Sequence, residues 1–132
     1  MSTAENKKLI QDAFAAWAKG DGAAFFNLLA DDVQWTVIGS SPVSRTYQSK
    51  AAFAEGATKP LSAKLAGPIQ PTVKNIIAEG DTIVLQWEGK ATTKGGKPYN
   101  NSYCWVMKFA NGKIKVGTAY IDTELVSALW KE

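Results

Sequence analysis

The pair Asn111-Gly112 constrains this chain more than any other feature, because it lies between two strand-like runs and can form a type I′ turn. Such a turn needs positive φ at both central residues, which Asn and Gly tolerate best, and its twist matches that of the flanking strands. It therefore sets the register of two long strands between Tyr99 and Thr123. Period-two alternation puts Tyr103, Trp105, Met107 and Phe109 on one face of the first strand, and Ile114, Val116, Thr118, Tyr120 and Asp122 on one face of the second. Large apolar groups thus lie beside a row that turns polar towards Asp122, as on a pocket floor. Opposite them, Gly117, Ala119 and Ile121 join Cys104 and Val106 in a small-residue apolar surface edged by Lys108 and Lys115. That outer face predicts a homodimer.

Upstream, the pattern is helical. Ser2 and Glu5 have capping-box spacing, and Ile10, Ala13, Phe14 and Trp17 recur at helical intervals up to Gly20. Asp21 can cap a short second helix with Phe25, Leu28 and Leu29 inward, and Asp31-Asp32 then reads as its solvated exit. Val33 to Gly39 is strand-like, with Trp35 and Thr36 its informative positions. Ser49 can cap a third helix carrying Phe53 and Ala57 until Pro60 breaks or restarts it.

After Gly67-Pro68 the spacing changes to that of strands. Thr72 to Ala78, a turn at Glu79-Gly80-Asp81, and Thr82 to Thr92 form one hairpin, in which Ile83, Leu85 and Trp87 alternate with polar residues. Leu125, Val126, Leu129 and Trp130 return to helical spacing. Helices gathered first and hairpins last predict one α+β domain over residues 1–132: three N-terminal helices on a curved, mostly antiparallel sheet. A sheet bent around a long helix leaves a cone, which can hold a small molecule.

The chain has no histidine, which removes the commonest general base and metal ligand together with every Ser-His-Asp or Cys-His arrangement. Neither a metal site nor a cofactor-binding loop is expected, since Gly95-Gly96 falls in a hairpin rather than between strand and helix. Cys104 is alone, so no internal disulfide forms. The net charge of +3 does not point to nucleic acid, because the lysines are scattered and Arg45 is the only arginine. No run approaches a membrane span and no leader peptide is recognisable, so a cytoplasmic protein is expected.

The order of Ala16-Trp17-Ala18-Lys19-Gly20-Asp21, Leu29-Ala30-Asp31-Asp32-Val33, Trp35-Thr36-Val37-Ile38-Gly39 and Asn111-Gly112-Lys113-Ile114 through Tyr120-Ile121-Asp122-Thr123 resembles the nuclear transport factor 2-like superfamily. Within it, the chain is similar to the SnoaL-like and ketosteroid-isomerase-like branch. The resemblance implies a cone-shaped, cystatin-like fold around a small-molecule pocket. Ketosteroid isomerases use an aspartate base and an oxyanion hole of tyrosine and protonated aspartate. Laid over that pattern, the base falls on Thr36, the protonated aspartate near Trp105 and the tyrosine near Ala13 or Phe14. All three roles are vacant, so steroid isomerisation is not expected. Arg45 with Glu88 or Asp122 resembles the Asp-Arg-Asp set of limonene epoxide hydrolases, against the reading of Arg45 as a surface residue.

For acid–base work, carboxylates and tyrosines remain. Asp122, with Tyr120 beside it, is the candidate catalytic residue; the competing reading makes Asp122 the cap of the last helix. Trp35, Thr36, Trp87, Tyr103, Trp105, Met107 and Thr118 are the candidate ligand-binding residues. They suit a small apolar or aromatic ligand with one carbonyl or hydroxyl. Two functions follow: a metal-free isomerase or cyclase acting by proton transfer, or a non-catalytic binding or interaction module.

Overall fold

In the computed structural model, which describes residues 1–132, the Ser2 hydroxyl accepts the Glu5 amide at 3.1 Å and the Glu5 carboxylate accepts the Ser2 amide at 2.9 Å. This capping box starts α1 (Thr3–Ala18), whose inner stripe of Ile10, Ala13 and Phe14 is buried against the sheet. Asp21 does not start a second α-helix. Its carboxylate takes only the Ala23 amide, at 3.2 Å, and a single 3₁₀ turn over Phe26–Leu28 leads directly into β1 (Leu29–Val37). Asp31 and Asp32 thus lie within a strand, contrary to the expected helix exit.

After β2 (Arg45–Tyr47), Ser49 caps α2 (Lys50–Phe53) by accepting the Ala52 amide at 3.0 Å. A π-turn over Ala54–Thr58 then joins α2 to α3 (Lys59–Ala63). Pro60 has no amide hydrogen to return to the preceding turn, and the wider turn absorbs that loss. The Tyr47 hydroxyl, which donates to the Val43 carbonyl at 2.7 Å, also lies 3.2 Å from the freed Gly56 carbonyl. Four strands follow: β3 (Gln70–Glu79), β4 (Thr82–Thr92), β5 (Pro98–Ala110) and β6 (Lys113–Ile121); α4 (Thr123–Leu129) comes last.

The six strands form one sheet in the order β2-β1-β6-β5-β4-β3, antiparallel except where β1 and β6 run parallel. The α+β architecture with a mostly antiparallel sheet is the expected one. So is the organising hairpin, with φ of 52° at Asn111 and 75° at Gly112.

The hairpin differs from expectation in one residue. Phe109 faces Ile114 but Lys108 faces Val116, so Lys115 is an extra residue in the β6 ladder. A bulge of one residue reverses the side-chain phase of everything beyond it. Gly117, Ala119 and Ile121 therefore point to the helices, and Val116, Thr118 and Tyr120 point to the outer face. Beyond Lys115 the two expected faces of β6 are exchanged, while Ile114 stays inward and Cys104 and Val106 stay outward as expected. β1 is irregular at the same level, between Leu29 and Gln34, and the Lys115 ammonium meets Asp32 there at 2.6 Å. That contact holds the Asp32 carboxyl below its ordinary value, through a hydrogen bond and then the charge itself.

Candidate functional site

The inner face of the sheet carries Trp35 from β1, Trp87 from β4, and Tyr103 and Trp105 from β5, each placed there by strand alternation. Trp105 stands at their centre. Its ring meets Trp35 at 5.1 Å and Trp87 at 4.9 Å edge-on and Phe25 at 4.8 Å at a tilt, while Trp35 stacks on Phe53 at 5.2 Å. Rigid rings that fix one another in this way resist collapse, and such pairs add about 0.5–1.5 kcal/mol each beyond their buried area. Between them and the helices lies a cavity of about 280 Å³.

The cavity is closed on the helix side by Phe53 from α2, Ala57 and Thr58 from the π-turn, Leu61 from α3 and Val126 from α4. Ala119 and Ile121 complete the sheet side, brought inward by the Lys115 bulge. No Asp, Glu, Lys or Arg lines it, and Tyr103 is its one titratable side chain. The Thr58 hydroxyl is occupied, donating to the Ala54 carbonyl at 3.2 Å. The Trp87 Nε1 and Tyr103 Oη are buried and have no hydrogen-bond partner. Most buried polar atoms are paired, and each orphan costs about 1–3 kcal/mol. The two rings stack at 4.0 Å with only 10° between their planes. Burial pushes the Tyr103 phenol far above its ordinary value, and neighbouring Tyr99 adds to the rise, with no hydrogen bond of ordinary geometry between the two hydroxyls.

Of the candidate ligand-binding residues, Trp35, Trp87, Tyr103 and Trp105 line the cavity and Thr36, Met107 and Thr118 do not. Met107 is fully buried in the core beneath the sheet. Thr36 bonds the Thr46 hydroxyl at 2.9 Å and sits beside Thr118 on the outer face. Asp122 and Tyr120 also lie away from the cavity. Tyr120 is 49% exposed on the outer face, turned there by the bulge. Asp122 is the N-cap of α4, its Oδ1 accepting the Glu124 amide at 3.1 Å and the Leu125 amide at 3.4 Å. Arg45 is exposed with its guanidinium 5.4 Å from the Tyr47 ring, and Glu88 pairs instead with Lys74 at 3.8 Å. No three carboxylate or thiol side chains converge in a metal-ligand set.

Asn101 is a residue that alternation could have revealed, since it is polar on the inward row between Tyr99 and Tyr103. It is fully buried. Its Nδ2 donates to the Tyr99 hydroxyl at 3.0 Å and to the Asp122 carbonyl at 3.2 Å, and its Oδ1 accepts the Ser102 amide at 2.8 Å and the Asp122 amide at 3.2 Å. The amide thereby ties β5 to the end of β6 beside the cavity wall.

A family model described as a SnoaL-like domain matches residues 10–116. No curated protein sequence matches the chain. Among solved structures, an NTF2-like protein from Burkholderia thailandensis is 23% identical with a TM-score of 0.79, over 96% of this chain and 98% of that one. TerC, co-crystallised with polyporic acid, is 18% identical with a TM-score of 0.79, over 97% of this chain and 99% of that one. A putative isomerase from Bacillus subtilis is 17% identical with a TM-score of 0.78, over 99% of this chain and 96% of that one. The fold is thus NTF2-like.

Proposed function

We propose a small-molecule-binding function for this chain, and the premise is its family: the chain belongs to the SnoaL-like domain family. The observation that carries the reading is the aromatic cavity, which is apolar, free of charged groups and held open by mutually braced rings. Its volume of about 280 Å³ is near the lower end of ligand pockets. A cavity of roughly 150 Å³ takes benzene. The ligand is therefore flat, apolar and about two rings in size. Support also comes from TerC, which was co-crystallised with polyporic acid.

Turnover by proton transfer, of isomerase or cyclase type, is the second reading. It is supported by the Tyr103 hydroxyl on the wall and by the naming of the Bacillus subtilis neighbour as a putative isomerase. The wall offers no carboxylate base, so the binding reading requires less. Thermal-shift screening of two-ring aromatic compounds tests it. Some of them should raise the wild-type melting temperature, since occupancy at 100 times Kd adds about 2.7 kcal/mol. Ala119→Phe, which fills the cavity from β6, should abolish the response while the protein stays folded. A wild type that responds to none, or an Ala119→Phe variant that responds equally, makes the cavity a structural void and the chain an interaction module.

A further inference from the structure

We propose that the Trp87 indole N–H and the Tyr103 hydroxyl together form a donor anchor for one oxygen of a neutral, two-ring aromatic ketone. The inference rests on reading the cavity as a ligand site and specifies its ligand. Both side chains line the cavity, both are more than nine-tenths buried, and neither polar atom has a partner. Two orphaned donors on rings 4.0 Å apart are unusual where most buried groups are paired. An indole nitrogen donates and never accepts, so the missing partner on that side is an acceptor. The phenol can do either; its oxygen carries a proton at neutral pH, and that proton has no acceptor within hydrogen-bond geometry, so a donor is left over on this side too.

The chemistry of the walls narrows the acceptor further. No Lys or Arg lines the cavity, so a carboxylate or phosphate would enter without a counter-ion and bear the full cost of desolvation. A carbonyl oxygen has two lone pairs, can accept both donors, and requires no charge compensation. A hydrocarbon of the same shape would fill the space and leave both donors unpaired. Sites with buried polar groups discriminate strongly against analogues lacking the matching atom.

Isothermal titration calorimetry with 1-tetralone, its hydrocarbon counterpart tetralin and 1-naphthoate tests the anchor. Wild type should bind 1-tetralone at least about tenfold tighter than tetralin and should bind 1-naphthoate more weakly than the ketone. Tyr103→Phe keeps the stacked ring and removes only the hydroxyl. It should weaken 1-tetralone about tenfold and leave tetralin unchanged. Trp87→Phe should act in the same direction; if it does not fold, the Tyr103→Phe comparison decides alone. Equal binding of ketone and hydrocarbon by wild type, tighter binding of 1-naphthoate, or equal weakening of ketone and hydrocarbon in Tyr103→Phe, overturns the anchor while leaving the cavity a binding site. If none of the three compounds binds wild type, the anchor falls together with the reading beneath it.

Discussion

The Asp122 carboxylate accepts two amides at the first turn of α4, so its loss is the loss of a helix cap. Asp122→Ala is expected to cost about 1 kcal/mol, a fall of roughly 3–5 °C in melting temperature for a chain of this size. Asp122→Asn retains an acceptor oxygen of nearly equal capping strength and should melt close to wild type. Neither variant should alter the thermal response to a cavity ligand. A ligand response lost in Asp122→Asn, with stability kept, would return Asp122 to the site. At this scale the sequence was informative but ambiguous: a carboxylate immediately before a helical run can be a cap or a strand-end acid. Alternation alone kept the acid reading beside the cap, and the alternation was offset.

The offset arises within one element. Lys115 occupies a strand position no differently from Lys113, and nothing in its chemistry announces that it is left out of the β5 ladder. The bulge is stabilised by its neighbours, namely the irregular stretch of β1 and the Asp32 contact, which are remote in sequence. By contrast, the Asn111-Gly112 turn, the Ser2 capping box and the alternation of β4 are local, and each was legible. The four aromatic walls Trp35, Trp87, Tyr103 and Trp105 were legible for the same reason, since all lie on strands or strand segments with unbroken phase. Gly117 shows what the reversed phase requires. A Cβ there would stand 2.3 Å from the Trp35 ring, which is completely buried and braced by Phe53 and Trp105. Gly117→Ala is expected to cost about 1–3 kcal/mol by overpacking, read as a melting temperature several degrees lower. Gly67→Ala, where a Cβ meets nothing within 4 Å, should not lower it. A Gly117→Ala variant as stable as wild type would mean that β6 does not hold this phase.

Across the whole molecule, the bulge gives the outer face a composition of its own. Val116, Tyr120 and Ile77 are 43%, 49% and 54% exposed there, beside the half-buried Val84, Cys104, Val106 and Thr118. We expect a homodimer through this face, with Val116 and Tyr120 in place of Gly117, Ala119 and Ile121. Light scattering at micromolar concentration should give twice the chain mass of 14.2 kDa, and Val116→Lys with Tyr120→Lys should return it to one chain. A wild type of single mass ends the expectation. The parallel pairing of β1 with β6 has a different consequence, one of time. Residues 29–37 find only the three-residue β2 nearby in sequence, and their other partner lies at 113–121. On a growing chain, Trp35 has no floor beneath it until β6 has been synthesised, and closing so long a loop slows folding. Until then the edge of β1 that pairs with β6 stays open to water and to chaperones, and the hairpins β3–β4 and β4–β5 can assemble first.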